Sequence, residues 1–216
     1  MPNHPVQIPP YIRAKIGEGE HQRLDFKFTI NDSRKIAITL CSFANSDGGT
    51  LLIGVKDNGV VAGINWQEEA HMIEAAATMY CVPPVEVSTQ VWRTGERHVL
   101  EVIVPASGKR PHQAINEAGE GIIYIRDKDQ NYPAPGVIVE YWRSLHFDLP
   151  ERYFHTEKEK KLFDLLEDGQ GHTVSKLSRQ TLLPRQVVTK LLARFIRWNL
   201  VKMHFEHGIA HFTNKP

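Results

Sequence analysis

Cysteine is scarce in this 216-residue chain: only Cys41 and Cys81 occur, each in an apolar neighbourhood. Two such thiols exclude a disulfide framework and a cysteine-rich zinc site, and read as small buried hydrophobes. A reducing, cytoplasmic setting suits them. No apolar run approaches the ~20 residues that span a bilayer. Met1-Pro2-Asn3-His4-Pro5 lacks a basic patch followed by an apolar stretch, so no signal peptide is expected. No Gly-x4-Gly-Lys-Ser/Thr loop is present, which leaves nucleotide hydrolysis without local support. Internal repeats and low-complexity tracts are also missing. Neither sign of charge is in excess: 26 Lys+Arg stand against 25 Asp+Glu, a net charge of +1.

That balance holds over the whole chain, not within its parts. Residues 1–150 hold 14 Lys+Arg and 18 Asp+Glu, and residues 151–216 hold 12 and 7. After Asp168 the only acid is Glu206, while eight Lys and Arg follow. A basic end on a mildly acidic body points to a polyanionic partner, although a solvated helix face gives the same pattern.

The periodicities predict a mixed chain of one large or two small domains. The proline-rich residues 1–19 read as an irregular arm. Leu24 to Ile30 reads as a strand. Asp32 and Ser33 offer a helix N-cap before Ile36, Leu40, Phe43 and Ala44, which fall on one helical face. Thr50 to Val55 is an apolar strand, Asp57-Asn58-Gly59 a hairpin turn, and Val60 to Ile64 its returning strand. A helix is expected over Trp66 to Tyr80. Strands follow near Val85–Val91, His98–Val104 and Ile122–Arg126, the last two separated by a polar loop over 105–121. A second polar loop runs to Pro135, and Val137 to Leu145 forms a helix closing the first domain. Pro150 marks the boundary. Beyond it, helices over 157–167 and 173–182 and one starting near Pro184 precede a small hairpin turning at His207-Gly208. Trp198 reads as core, and His204, His207 and His211 as hairpin surface residues.

One composite motif stands out: Glu20, Asp25-Phe26-Lys27, Phe43-Ala44-Asn45-Ser46-Asp47-Gly48-Gly49 and Gly54-Val55-Lys56-Asp57-Asn58-Gly59. Lys109-Arg110-Pro111-His112 and Tyr124-Ile125-Arg126 accompany it. Together these segments resemble the Schlafen-type AlbA-like domain over roughly residues 15–140. Asp25 stands where that family more often has glutamate, and is one methylene shorter. The resemblance implies a bacterial-type protein that binds nucleic acid, DNA or RNA. In animal Schlafens two acids of an acid-x4-acid motif and a third acid serve a metal-dependent ribonuclease. By position these are Glu20, Asp25 and Asp57, with Mg²⁺ or Mn²⁺ as the implied ion. Animal Schlafens clasp RNA with two related lobes; one lobe here implies a homodimer.

The residues themselves carry two readings each. Carboxylates gather divalent ions that activate water, and Lys27, two residues from Asp25 on one strand face, can neutralise a phosphate. Asp25 and Lys27 equally form an ordinary ion pair, and Asp57 equally serves its turn. Lys109, Arg110, His112 and Arg126 can track a phosphate backbone or belong to a solvated loop, and His112 can be a packing residue. Lys190, Arg194 and Arg197 line one side of the last helix and, if it is a recognition helix, touch DNA.

The expected fold class is therefore α/β (α+β): an AlbA-like domain with a mixed sheet and flanking helices over 1–145, then a winged helix-turn-helix domain over 151–216. The expected function is nucleic-acid binding by a DNA-binding regulator. A metal-dependent endoribonuclease and a protein-interaction or dimerisation module are the alternatives.

Overall fold

The computed structural model describes residues 8–148 and 156–215. The expected boundary at Pro150 and the first seven residues of the expected arm lie outside the described residues. Contacts divide the chain into two units, the first ending at Pro133 and the second starting at Ala134.

The first unit is built on a four-stranded sheet of order β1-β2-β5-β4. Its strands are β1 (Leu24–Lys27), β2 (Gly49–Ile53), β4 (Ser88–Thr94) and β5 (Arg97–Val104). β1 runs parallel to β2, with Leu24 opposite Thr50, and the other pairs are antiparallel. The parallel pair requires a crossover, and α2 (Ser33–Asn45) supplies it. Asp32 caps α2 by accepting from the Arg34 N–H at 2.8 Å, as the sequence predicted. The helix ends at the glycine pair. Gly48 sits at φ 69° and returns its N–H to the Phe43 carbonyl at 2.9 Å. A Cβ on Gly49 would collide with the Phe43 ring, so the strand approaches closely only without one.

Alternation along the strands sorts side chains onto two faces. Leu51, Ile53, Leu100, Val102 and Val104 join the core formed with α2 and α3 (Trp66–Met79). Leu24, Phe26, Leu52 and Val99 face the other way, onto Ile12. Ile12 belongs to α1 (Pro10–Glu18), in the segment expected to be irregular. Proline is compatible with the first helical turn, so Pro10 opens this helix instead of preventing it. Glu101 points to the same face and is 2% exposed.

A second, antiparallel sheet has the order β3-β6-β7-β8: β3 (Cys81–Val82), β6 (Gln113–Ile115), β7 (Gly121–Asp127) and β8 (Gln130–Pro133). β6 and β8 occupy segments expected to be loops. They are three and four residues long, too short to show alternation. The strand expected over Val60 to Ile64 is reduced to one bridge, Val55 with Val61, because the Ala62 and Gly63 N–H groups both turn back to the Gly54 carbonyl. Cys41 and Cys81 are buried and free, their sulfurs 3.4 Å apart.

The second unit holds α4 (Gly136–Ser144), α5 (Glu157–Asp164), α6 (Val174–Thr181), α7 (Arg185–Arg197) and the hairpin β9 (Val201–Glu206) and β10 (Ile209–Asn214). α4, expected to close the first domain, packs instead within this unit. Its Val137 and Tyr141 join Leu162, Leu177, Val188, Leu192, Phe195 and Trp198 in one apolar core. The α4 face carrying Val137 and Tyr141 matches the apolar stripe of α7, which periodicity within α4 alone does not reveal. Thr156 and Thr173 cap α5 and α6 through their side chains. His172 bridges to Phe212, tying the loop before α6 to β10. Among the described residues no helix is long and apolar enough to cross a membrane.

Candidate nucleic-acid interface

β1 presents Asp25 between two cations. Lys27 Nζ lies 2.8 Å from Oδ2, and Arg126 Nη2 lies 3.3 Å from Oδ1. Asp25 is 4% exposed and the Arg126 side chain is fully enclosed. Arg126 spends its donors on the protein: Nε and Nη2 reach the His21 carbonyl, Nη2 also the Leu24 carbonyl, and Nη1 reaches Asn131 Oδ1. Its guanidinium stacks over the Phe43 ring at 4.8 Å. Arg126, expected to track a phosphate backbone, is thus a buried tie between β7 and the start of β1.

Glu20 accepts the Phe26 N–H on Oε1 at 2.8 Å. Burial pushes its carboxyl up, and the neighbouring Asp25 adds to that, against the pull of the Phe26 N–H and Lys27. Asp57 is exposed in its turn. Among the described residues no three His, Cys, Asp or Glu side chains form a group that could hold a metal ion. The expected Glu20–Asp25–Asp57 centre for Mg²⁺ or Mn²⁺ therefore does not fit. Both Asp25 oxygens already face cations, and a hard divalent ion needs several free oxygens at about 2.0–2.6 Å. The acid-x4-acid pair and Lys27 form an ion network that locks β1.

Asn45, in the glycine motif, donates from Nδ2 to the His112 and Tyr124 carbonyls and accepts the His112 N–H on Oδ1, each at 2.8 Å. His112 is 2% exposed. Its Nδ1 donates to the Pro83 carbonyl at 2.8 Å and its Nε2 meets Ser107 Oγ at 2.7 Å. Of its two sequence readings, packing holds and phosphate contact does not. Arg110 bonds the Ala44 and Ser46 carbonyls at 3.2 and 2.7 Å, placing a cation on the carbonyl end of α2. Lys109 stays exposed, 3.4 Å from Glu86, a surface pair of small worth.

A cleft of about 380 Å³ opens beside this network, at the entry of β1 and β2. Lys15, His21, Arg23 and Thr50 line one part of it, and Ile103 and Pro105 another. Lys15 Nζ holds Thr50 Oγ1 at 3.0 Å and Glu101 Oε1 at 3.1 Å. Burial alone would lower the Lys15 pKa, but Tyr11 and Glu101 reverse the balance and raise it, which keeps the ammonium charged. None of Lys15, His21 and Arg23 was singled out from the sequence. His21 and Arg23 lie inside the motif stretch but show no spacing signal, and Lys15 falls in the supposed arm.

In the second unit, Lys190 is exposed, as expected. Arg194 and Arg197 are not presented outward. Arg194 Nη2 pairs with Glu159 Oε1 at 3.1 Å and its guanidinium covers the Trp198 ring at 5.0 Å. Arg197 bonds the Ser144 and Phe147 carbonyls at 2.6 and 3.0 Å, closing the carbonyl end of α4. The open polar residues of α7 lie earlier in the helix: Arg185, Gln186 and Lys190 are exposed. On the hairpin, His204 and His211 stack at 5.8 Å, with Glu206 3.0 Å from His204 Nε2. That bond holds the Glu206 carboxyl below its ordinary value.

A family model described as Schlafen, AlbA_2 matches residues 20–135, more than half of the chain. Two solved structures are similar to it. The DIP2311 protein from Corynebacterium diphtheriae matches at 18% identity and a TM-score of 0.43, over 68% of this chain and 33% of that protein. The N-terminal domain of a RecG-related protein from Nitrosomonas europaea matches at 19% identity and a TM-score of 0.39, over 67% of this chain and 98% of that domain. The chain thus spans about a third of the DIP2311 protein's length.

Proposed function

The chain belongs to the Schlafen AlbA_2 family, and from that premise we propose that it binds nucleic acid and that its C-terminal unit grips duplex DNA. The family suggests the nucleic acid; the preference for duplex DNA comes from the second unit. Three short helices followed by a two-stranded hairpin is the order of a winged helix-turn-helix, with α7 as recognition helix and β9–β10 as wing.

The observation that carries this reading is the exposed side of the N-terminal half of α7. Arg185, Gln186 and Lys190 stand open there; Gln186 and Lys190, four residues apart, share one face, and Arg185 precedes them at the start of the helix. Arg and Gln are the residue types that read base edges bidentately, and Lys neutralises phosphate. The inner half of the helix is anchored by Val188, Leu191, Leu192 and Phe195, so the outer half is held rigidly. A regulator that reads a DNA site is the activity this geometry serves best.

Fluorescence anisotropy of a labelled DNA duplex, repeated across salt concentrations, tests it. The Arg185→Ala, Lys190→Ala double variant removes two phosphate-capable cations, so the slope of log affinity on log salt drops by about 1.8. An unchanged slope and affinity in that variant would remove α7 from the interface and the DNA reading with it.

A further inference from the structure

The cleft in the first unit has lining groups that the ion network does not consume. Arg23 lies on its rim, exposed, and among the described residues its side chain makes no hydrogen bond or ion pair. The guanidinium therefore keeps its full fork of donors. His21 is oriented by its neighbours: Nδ1 accepts the Arg23 backbone N–H at 3.2 Å, so the ring proton sits on Nε2, which faces Glu18 at 3.2 Å. Lys15 is held at the inner wall by Thr50 and Glu101. Lys15, Arg23 and the His21 Nε2–H thus line one cleft, with Glu18 beside His21 and Glu101 paired to Lys15. The apolar part of the lining is Leu24, Ile103 (41% exposed) and Pro105.

A concave space of about 380 Å³ is at the small end of ligand pockets and far too narrow for a duplex. One nucleotide fits, with phosphate on the cationic side and base or sugar on the apolar side. Only an unstacked base can enter so confined a space. We infer that this cleft captures a single nucleotide unit of a single-stranded nucleic acid, with Arg23 and His21 on its phosphate and Ile103 with Pro105 against its base or sugar.

The inference rests on the nucleic-acid reading but assigns it a second contact surface, separate from α7. The chain then has one surface for single strands and another for duplex. A free 5′-mononucleotide presents the same chemistry, and the test separates the two sources.

Full-length chain is titrated with a labelled single-stranded oligonucleotide, with a nucleoside 5′-monophosphate, with the nucleoside alone and with inorganic phosphate. Arg23→Glu, with an unchanged melting temperature because the side chain has no partner, weakens the single strand about tenfold or more while duplex binding is retained. Arg23→Ala lowers the single-strand salt slope by about 0.7. Single-strand affinity that ignores both substitutions overturns the assignment. Tight binding of the mononucleotide with none of the oligonucleotide also overturns it, in favour of a free-nucleotide site. Loss of duplex binding in the α7 double variant is read separately, so failure of either surface is distinguishable from failure of the other.

Discussion

Tyr11 and Glu101, ninety residues apart in sequence, are joined by a hydrogen bond of 2.9 Å from the phenol to Oε1. Trp92 Nε1 donates to the other oxygen at 2.8 Å, and Lys15 stands 3.1 Å from Oε1. The Tyr11 and Trp92 rings stack at 5.0 Å. A buried carboxylate so surrounded holds α1 against the sheet. Hydrogen bonds to charged groups contribute about 1.5–3 kcal/mol. Tyr11→Phe is expected to lose that much, read as a lower urea midpoint with unchanged m. Glu101→Ala, which leaves Lys15 without its counter-ion, costs more.

Arg126→Ala strands Asp25 in the interior with only Lys27 beside it. Removing one partner of a buried pair costs about 3–5 kcal/mol. Denaturant unfolding should show the loss, and the Asp25→Asn, Arg126→Met double variant should recover part of it. Recovery marks an ion network; a loss that persists undiminished marks packing of Arg126 on Phe43.

Glu20 makes stability depend on pH with a definite sign. Its folded carboxyl is raised, while the unfolded chain releases the proton near the ordinary value of about 4.3. Between those two values the folded state binds more protons, so stability falls as pH rises through the window. Glu20→Gln keeps an oxygen for the Phe26 N–H and removes the titration. Its unfolding free energy should be flatter over that window and equal or higher at neutral pH. A wild-type curve that rises there would contradict the assignment.

Arg197→Ala separates structure from binding. It deletes the bonds to Ser144 and Phe147. The expected cost is about 1–2 kcal/mol, as for a cation at a helix carbonyl end in a partly buried setting. The salt slope for DNA should not change. A reduced slope with a normal melting temperature would return Arg197 to the interface.

The helices other than α1, and the first sheet, were legible because their signals are local: the cap at Asp32, the spacing of Ile36, Leu40 and Phe43, the apolar run into Ile53. β6 and β8 were not, because strands of three or four residues exist only through their partners. The composite motif located the right region but not the roles within it. Spacing places Asp25 and Lys27 on one face, yet only the fold brings Arg126 to them. It likewise turns Arg194 to Trp198 and Arg197 to α4. Sequence gives the number of cations; burial decides how many remain for a polyanion.

The family match begins at residue 20, beyond the end of α1. A fragment cut to those limits would strip Ile12 and Tyr11 from the sheet. Leu52, Val99 and Trp92 would then face solvent around an unneutralised Glu101. Such a fragment is a poor choice for expression: it exposes an apolar sheet face, the kind of surface that draws molecules together into aggregates. Trimming this protein for crystallisation or spectroscopy should keep Ile8 onward.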